Sequence, residues 1–315
     1  MSIQKRKVLF TAILSGLFVV LIKTYLPLKR SNSEIANDFW IKKTHQKEKK
    51  NIVVGGNSRI YRGISIKAIQ SGLDNKLSGV NLGYSALGYS NEYLDFLLSR
   101  VDLKSKNKVV VLALDVGPLT DIAVENKSFA RYKSVSNSEI FKVLYLNEYV
   151  NISSYKPSEI IRIFQKTAEN RHNFVEDRKN YFAKYYEDGW VASYKVPNNP
   201  MEALPVYKKF AEDNNMQISN EVYQNLLFRI QEFVEMGIEV ICFRPPSTLE
   251  MQEWENEKFK FDENKIRKEI EEMGGHWIEI NTTEYKSYDG SHLHYLSAEK
   301  LSKIIGIKMN QILYK

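Results

Sequence analysis

The chain has 315 residues, 43% hydrophobic and 26% charged, a balance that supports a packed core and excludes a disordered chain. The formal net charge of +7 raises nucleic acid as a partner, but much of the excess stands beside one apolar segment, in Lys5, Arg6, Lys7, Lys29, Arg30 and the stretch 42–50. No RNA-binding signature, zinc knuckle or basic-aromatic repeat appears, so nucleic acid is excluded, and the single cysteine, Cys242, excludes an intrachain disulfide or a Cys-based zinc cluster.

Residues 8–22 carry no charge, and 24–28 continue the run past Lys23. Together they give about 20 residues, the length at which a helix crosses a bilayer core. Lys23 can snorkel its amine to the headgroups. The basic flanks meet anionic lipid at roughly 1 kcal/mol per residue, so a membrane is an expected partner. A cleaved signal peptide shares the basic start and short apolar core, but Leu28, Lys29 and Arg30 are bulky where cleavage needs small residues. An uncleaved signal anchor over 1–30 is expected. Both flanks are basic, so charge alone does not orient it. Residues 31–50, polar and basic with Trp40 as an interfacial aromatic, read as a juxtamembrane linker.

From residue 51 onward strands alternate with helices. Strands are expected at 52–54, 79–82, 108–114, 238–243 and 276–280. The run 108–114 is rich in Val and Leu without alternation, as in a strand buried on both faces of a parallel sheet. Cys242 falls within such a run as a small buried residue. After Ser90, residues Leu94, Leu97, Leu98 and Val101 mark one helical face. After Ser219, Val222, Leu226, Ile230 and Phe233 mark another, which Gly237 stops. The last helix begins near Ser297 with Leu301, Ile305, Met309 and Ile312 in one stripe. This order predicts an α/β domain over 51–315, a three-layer α/β/α sandwich on a five-stranded parallel sheet. Residues about 120–219, rich in Tyr, Lys, Asn and Phe, break the rhythm and read as an insertion with helical runs such as 157–186.

Two short motifs carry chemistry. The first strand runs into Gly55-Gly56-Asn57-Ser58-Arg59, where two glycines allow a sharp turn at the edge at which open α/β sheets bind ligands. Ser58 is displayed there, although Ser in such a loop is also a common helix cap. The pattern is neither G-x-S-x-G nor a phosphate-binding loop. The second motif, Asp289-Gly290-Ser291-His292-Leu293, precedes the last helix. A serine hydroxyl needs a base such as imidazole, and the imidazole needs a carboxylate to fix its tautomer. Asp289 and His292 supply that pair locally; the plain alternative is a surface turn at Asp289-Gly290. His294 is a nearby decoy, and His45, His172 and His276 lack a comparable context. No third ligand stands beside Asp289 and His292, so no metal is expected.

Gly56-Asn57-Ser58-Arg59 resembles the opening Gly-Asp-Ser block of SGNH/GDSL hydrolases, and Asp289-Gly290-Ser291-His292-Leu293 resembles their closing Asp-x-x-His block. Val80-Asn81-Leu82-Gly83-Tyr84-Ser85 is similar to their second block. The resemblance spans 51–315 apart from the insertion and implies a flavodoxin-like SGNH fold. It implies Ser58 as nucleophile, His292 as base, Asp289 as its orienter, and the N–H groups of Ser58 and Gly83 as oxyanion donors, with no cofactor. Two departures stand out. Asn57 occupies the Asp position, and Leu114-Asp115-Val116-Gly117-Pro118 replaces the third block, whose Asn is an oxyanion donor. An ionised Asp115 would repel a developing oxyanion.

The same departure is similar to SGNH-like proteins of bacterial surface-polymer acylation, such as alginate acetylation and teichoic-acid D-alanylation. Those are membrane-tethered with the domain outside the cell. The resemblance therefore implies an extracytoplasmic domain, a cell-surface polysaccharide or acylated glycan as substrate, and a membrane-bound acyltransferase as partner. Arg244, in Arg244-Pro245-Pro246 at the end of the fourth strand, is expected either to bind a carboxylate or phosphate or to hold a loop. Asn57 and Asp115 join it as candidate substrate contacts. Two functions remain: serine-dependent acyl transfer, as an O-acetyl esterase or O-acyltransferase, and a non-catalytic polysaccharide-binding or assembly protein. The aromatic-rich insertion fits the second, since Tyr and Trp faces stack on sugars.

Overall fold

A computed structural model describes residues 3–25, 31–73, 77–146 and 174–314, without the side chains of residues 3, 18–25 and 146. Five strands, β1 (Ile52–Gly55), β2 (Gly79–Asn81), β3 (Val109–Ala113), β7 (Glu239–Phe243) and β8 (His276–Trp277), form one sheet in the order β2-β1-β3-β7-β8. Every pairing is parallel, with Val54 opposite Asn81 on one side and Val111 on the other. The chain leaves β1 toward β2 and later returns beside β1 as β3. The carboxyl ends of β1 and β3 thus flank a switch point, where open sheets hold their ligands.

Alternation along the strands divides the core. Val53, Val110, Leu112, Val240 and Cys242 face a cluster that includes Leu94 and Leu97 of the helix Asn91–Leu98 and Leu226 and Ile230 of the helix Asn220–Glu235. Ile52, Val54, Val109, Val111, Ile241 and Phe243 face the opposite way, onto Ile60, Ile66, Ile69, Leu301 and Ile305. The last two belong to the helix Tyr295–Leu313, which packs on Ile66–Gly72. Helices therefore cover both faces of a five-stranded parallel sheet.

Two expectations need correction. The linker expected over 31–50 is largely a helix, Asn32–His45, started by a capping box in which Ser31 Oγ accepts the Glu34 N–H at 3.2 Å and Glu34 Oε2 accepts the Ser31 N–H at 2.8 Å. Its Phe39 and Ile41 are buried. Trp40 packs against Tyr61, Tyr84 and Tyr132, not against lipid. Lys43 is buried too. Its Nζ lies 5.0–5.6 Å from the ring centroids of Phe39, Trp40, Tyr61 and Tyr84 and donates to the Gly189 carbonyl at 2.9 Å. Burial pulls its pKa well down, against the opposing charge of Asp188.

The second correction concerns the insertion. Of the helical run expected over 157–186, residues 157–173 lie outside the described residues; the remainder is strand. β4 (Val175–Arg178), β5 (Tyr181–Tyr185) and β6 (Val191–Lys195) form an antiparallel sheet. The physical reason is a period of two. Tyr181 and Ala183 turn inward and Phe182 and Lys184 lie at intermediate depth, while Asn180 at φ +65° turns the chain between β4 and β5.

Near the N-terminus a helix covers Ile3–Tyr25, with Val8, Leu9, Phe10, Ile13, Leu14 and Leu17 exposed. Among the described residues no helix is long and apolar enough to cross a membrane; residues 26–28 of the expected span lie outside them.

Candidate active site

The nucleophile position is built by a turn only glycine makes easily. Gly56 sits at φ +146°, and a Cβ there would meet Ile60 Cγ1 at 2.7 Å. Asn57 then caps the helix Ser58–Gly63, its Oδ1 accepting the Arg59 N–H at 2.9 Å. Ser58 is the first helical residue and half-buried, so its own N–H has no acceptor within the helix.

The second half comes from the loop before the last helix. Asp289 Oδ1 accepts the N–H groups of Ser291 at 2.9 Å and His292 at 2.7 Å, closing a tight turn. Ser287 Oγ accepts the Gly290 N–H at 2.8 Å and donates to the His292 carbonyl at 2.7 Å. Gly290 at φ +100° passes so close to Pro200 that a Cβ would stand 2.1 Å from the Pro200 carbonyl oxygen. Outside supports complete the loop: Asn199, Ala203 and Thr248 donate their N–H groups to the carbonyls of Tyr288, Asp289 and Gly290 at 2.8–2.9 Å.

These two pieces meet. His292 Nδ1–H donates to Asp289 Oδ2 at 2.8 Å, and Ser58 Oγ–H donates to His292 Nε2 at 2.9 Å. Burial works to raise Asp289, but the charge and ring N–H of His292 and the two backbone donors outweigh it and hold the carboxyl well below the usual range. Burial lowers His292, assisted by Arg62 and opposed by Asp289. The imidazole is therefore neutral at pH 7, with its free lone pair on the serine proton, as a general base requires. The Tyr288 ring lies parallel to the imidazole, with centroids 5.9 Å apart and planes 17° from parallel.

The other expected site residues are engaged elsewhere. Gly83 N–H donates to Asn81 Oδ1 at 3.0 Å, so it is not free as an oxyanion donor. Asn81 is fully buried and also donates to the carbonyls of Ile60 and Ile64 at 2.9 and 2.8 Å, riveting β2 to the nucleophile helix. Asn57 Nδ2 donates to both oxygens of Asp115 at 3.1 and 3.2 Å, and Asp115 also accepts the Gly117 N–H at 2.9 Å. Asp115 Oδ2 stands 3.5 Å from Arg59 Nη1. The two side chains are thus engaged with each other and with Arg59.

Arg244 resolves toward its structural alternative. Its Nη2 pairs with Glu255 Oε2 at 3.0 Å, its Nη1 donates to Asn256 at 2.9 Å, and the guanidinium covers the Phe261 ring. Arg59 Nη2 pairs with the other oxygen of Glu255 at 2.5 Å, and Arg59 Nε donates to Ser291 Oγ at 3.1 Å. Asp115, Arg59, Glu255 and Arg244 are each 5% exposed or less. They form a buried chain of alternating charge that ties the nucleophile helix to the Asp289 loop. Burial acts to lower Arg59, yet Glu255 and Asp115 outweigh it and raise its pKa; burial raises Asp115 against the pull of Arg59.

The remaining histidines are structural among the described residues. His294 caps the last helix, His276 bonds Glu239 at 2.9 Å and His45 bonds the Tyr132 carbonyl at 2.8 Å; His172 lies outside the described residues. No group of three His, Cys, Asp or Glu side chains that could hold a metal occurs among the described residues. Sequence reasoning missed Arg59, Arg62, Asn81, Glu255 and Ser287. The one available signal was Arg59 and Arg62 at fixed offsets from Ser58 in an otherwise apolar helix.

The sequence matches no protein-family model and no curated protein. One similar solved structure is described as that of "a putative platelet activating factor from Streptococcus pneumonia". It aligns over 96% of this chain and 99% of its own, at 11% identity and a TM-score of 0.33. At that level the likeness carries no weight, and the chemistry rests on this chain's own residues.

Proposed function

We propose that this chain is a serine-dependent acyl-transfer enzyme, an O-acetyl esterase or O-acyltransferase acting on a cell-envelope polysaccharide ester. The observation that carries this reading is the continuous hydrogen-bond line from Ser58 through His292 to Asp289, at 2.9 and 2.8 Å. Ser58 Oγ attacks the acyl carbonyl while His292 Nε2 takes its proton. The Ser58 N–H faces the developing oxyanion. His292 then returns the proton to the leaving alcohol, which departs and leaves an acyl-serine. A water or sugar hydroxyl, deprotonated by His292, attacks that ester and regenerates Ser58.

We further propose that the chain is a single-pass membrane protein with this domain outside the cytoplasm, working beside a membrane-bound acyltransferase. The exposed apolar residues of the helix Ile3–Tyr25 support attachment to lipid, and protease accessibility in intact cells tests the orientation. Catalysis is tested with a fluorophosphonate probe. Labelling at Ser58, absent in Ser58→Ala, together with Ser58-dependent hydrolysis of 4-nitrophenyl acetate, is the expected result.

A second reading is favoured by one observation. With Gly83 N–H committed to Asn81 and Asp115 in place of an amide, only one of the three expected oxyanion donors is open. A polysaccharide-binding or assembly protein would need none. Absence of both labelling and turnover in the folded protein selects that reading.

A further inference from the structure

Arg62 lies four residues beyond Ser58 in the helix Ser58–Gly63, so the two side chains share one helical face about 5–6 Å apart at Cβ. Its Nη1 donates to Tyr288 OH at 3.0 Å, and Tyr288 is the ring stacked on His292. The guanidinium carbon stands 5.1 Å from the Tyr61 centroid and 5.3 Å from the Tyr181 centroid. Phenols surround this cation; among the described residues no carboxylate pairs with it. Burial raises the pKa of Tyr61 and of Tyr288, so neither offers a phenolate. Arg62 Nε is buried and has no hydrogen-bond partner, although the residue as a whole is half-buried and reaches solvent.

The contrast with Arg59 and Arg244 is instructive. Both of those are buried against Glu255. Arg62, one turn along the helix face from the reacting hydroxyl, has no carboxylate in contact among the described residues; against burial, the surrounding phenols and the more distant charge of Asp289 favour its charged form. A guanidinium with no carboxylate in direct contact keeps donor capacity for an anionic ligand that approaches from its solvent-reaching side. Aromatic faces can hold such a group rigid without neutralising it, which leaves a planar donor set suited to carboxylate or phosphate oxygens.

We infer that Arg62 is a specificity-determining anion receptor, and that the ester or acceptor handled at Ser58 carries a carboxylate or phosphate one helical turn from the reacting carbonyl. This rests on the acyl-transfer reading and narrows its substrate to an anionic class. It also moves to Arg62 the anion-binding role that sequence alone offered to Arg244.

The test uses the full chain in detergent. Rates are compared for three acetyl esters: neutral 3-acetoxybenzamide, 3-acetoxybenzoate and 3-acetoxyphenyl phosphate. The expected result is a kcat/KM preference for one anionic ester over the neutral one. That ratio should fall about 10- to 100-fold in Arg62→Gln, the span of a charge-assisted hydrogen bond, with partial recovery in Arg62→Lys. Whichever anionic ester is preferred separates carboxylate from phosphate. A merely structural Arg62 would lower all three rates together and leave the ratio unchanged, which overturns the inference. In parallel, calorimetry follows inorganic phosphate and acetate binding to Ser58→Ala with and without Arg62→Gln. Equal binding by both proteins also overturns it. If no ester turns over but anion binding depends on Arg62, the acyl-transfer reading fails while the anion site stands.

Discussion

Ser58 Oγ and His292 Nε2 lie 2.9 Å apart although 234 positions separate them in the chain. Substituting either residue by Ala should reduce ester turnover by about 10³-fold or more without changing the far-UV spectrum, since Ser58 is half-buried and, among the described residues, its hydroxyl bonds the imidazole alone. Asp289→Ala should differ. It removes an acceptor of two backbone N–H groups as well as the ring N–H, so a lowered urea midpoint should accompany the lost activity.

The pH profile follows from the direction of the His292 shift. Burial depresses its pKa below the ordinary value of 6.5. The active species is the neutral imidazole, so the midpoint of the acid-side decline in kcat/KM should lie below pH 6.5. A midpoint above pH 6.5 would contradict the site described here.

Gly290→Ala should disable the loop from within. A side chain at φ +100° is strained by about 1–3 kcal/mol, and its Cβ would collide with the Pro200 carbonyl. Relief requires the loop to move away from residues 199–203, taking Asp289 and His292 with it. Turnover should drop together with thermal stability, measured by calorimetry.

Glu255→Gln removes the anion shared by Arg59 and Arg244, leaving Arg59 with Asp115 and Arg244 with the more exposed Glu263. Removing one member of a buried ion pair typically costs about 3–5 kcal/mol, and a fall of that size in unfolding free energy is expected. Turnover should also weaken, because Arg59 contacts the Asp289 loop through Ser291.

Lys43 makes a prediction of opposite sign. Its folded pKa is depressed from 10.5, so the unfolded chain holds this proton to higher pH than the folded one does. The resulting penalty is full below the folded pKa and vanishes as pH rises toward 10.5. Stability should therefore increase on the alkaline side of neutral, and Lys43→Met should remove that increase. Denaturant melts of both proteins at several pH values decide it.

Most of the sheet is legible in the sequence because strands buried on both faces leave continuous apolar runs. The run expected at 108–114 becomes Val109–Ala113, and 238–243 becomes Glu239–Phe243. Ser58, Asp289 and His292 are legible because each sits in a short local motif. Arg244, Asp115 and Gly83 are not, because their partners are side chains on other elements or a local side chain whose fold-back leaves no sequence pattern. Glu255 takes Arg244 and Arg59, Arg59 and Asn57 take Asp115, and the Asn81 side chain bends back to the Gly83 N–H. The antiparallel sheet escaped notice because aromatic residues mixed with Lys and Glu match helical and strand periods alike over so short a run.

The four interlocked charges beneath Ser58 also constrain how this protein can change. Two cations face two buried anions, with the more exposed Glu263 3.4 Å from Arg244, so replacing Asp115 by an amide leaves Arg59 with Glu255 alone, and neutralising Arg59 first leaves Asp115 without its cation. Either order is expected to pass through a less stable single variant. Paired substitution avoids that cost, so positions 59 and 115 are expected to be epistatic, and a directed-evolution library stepping one codon at a time should seldom change either one alone.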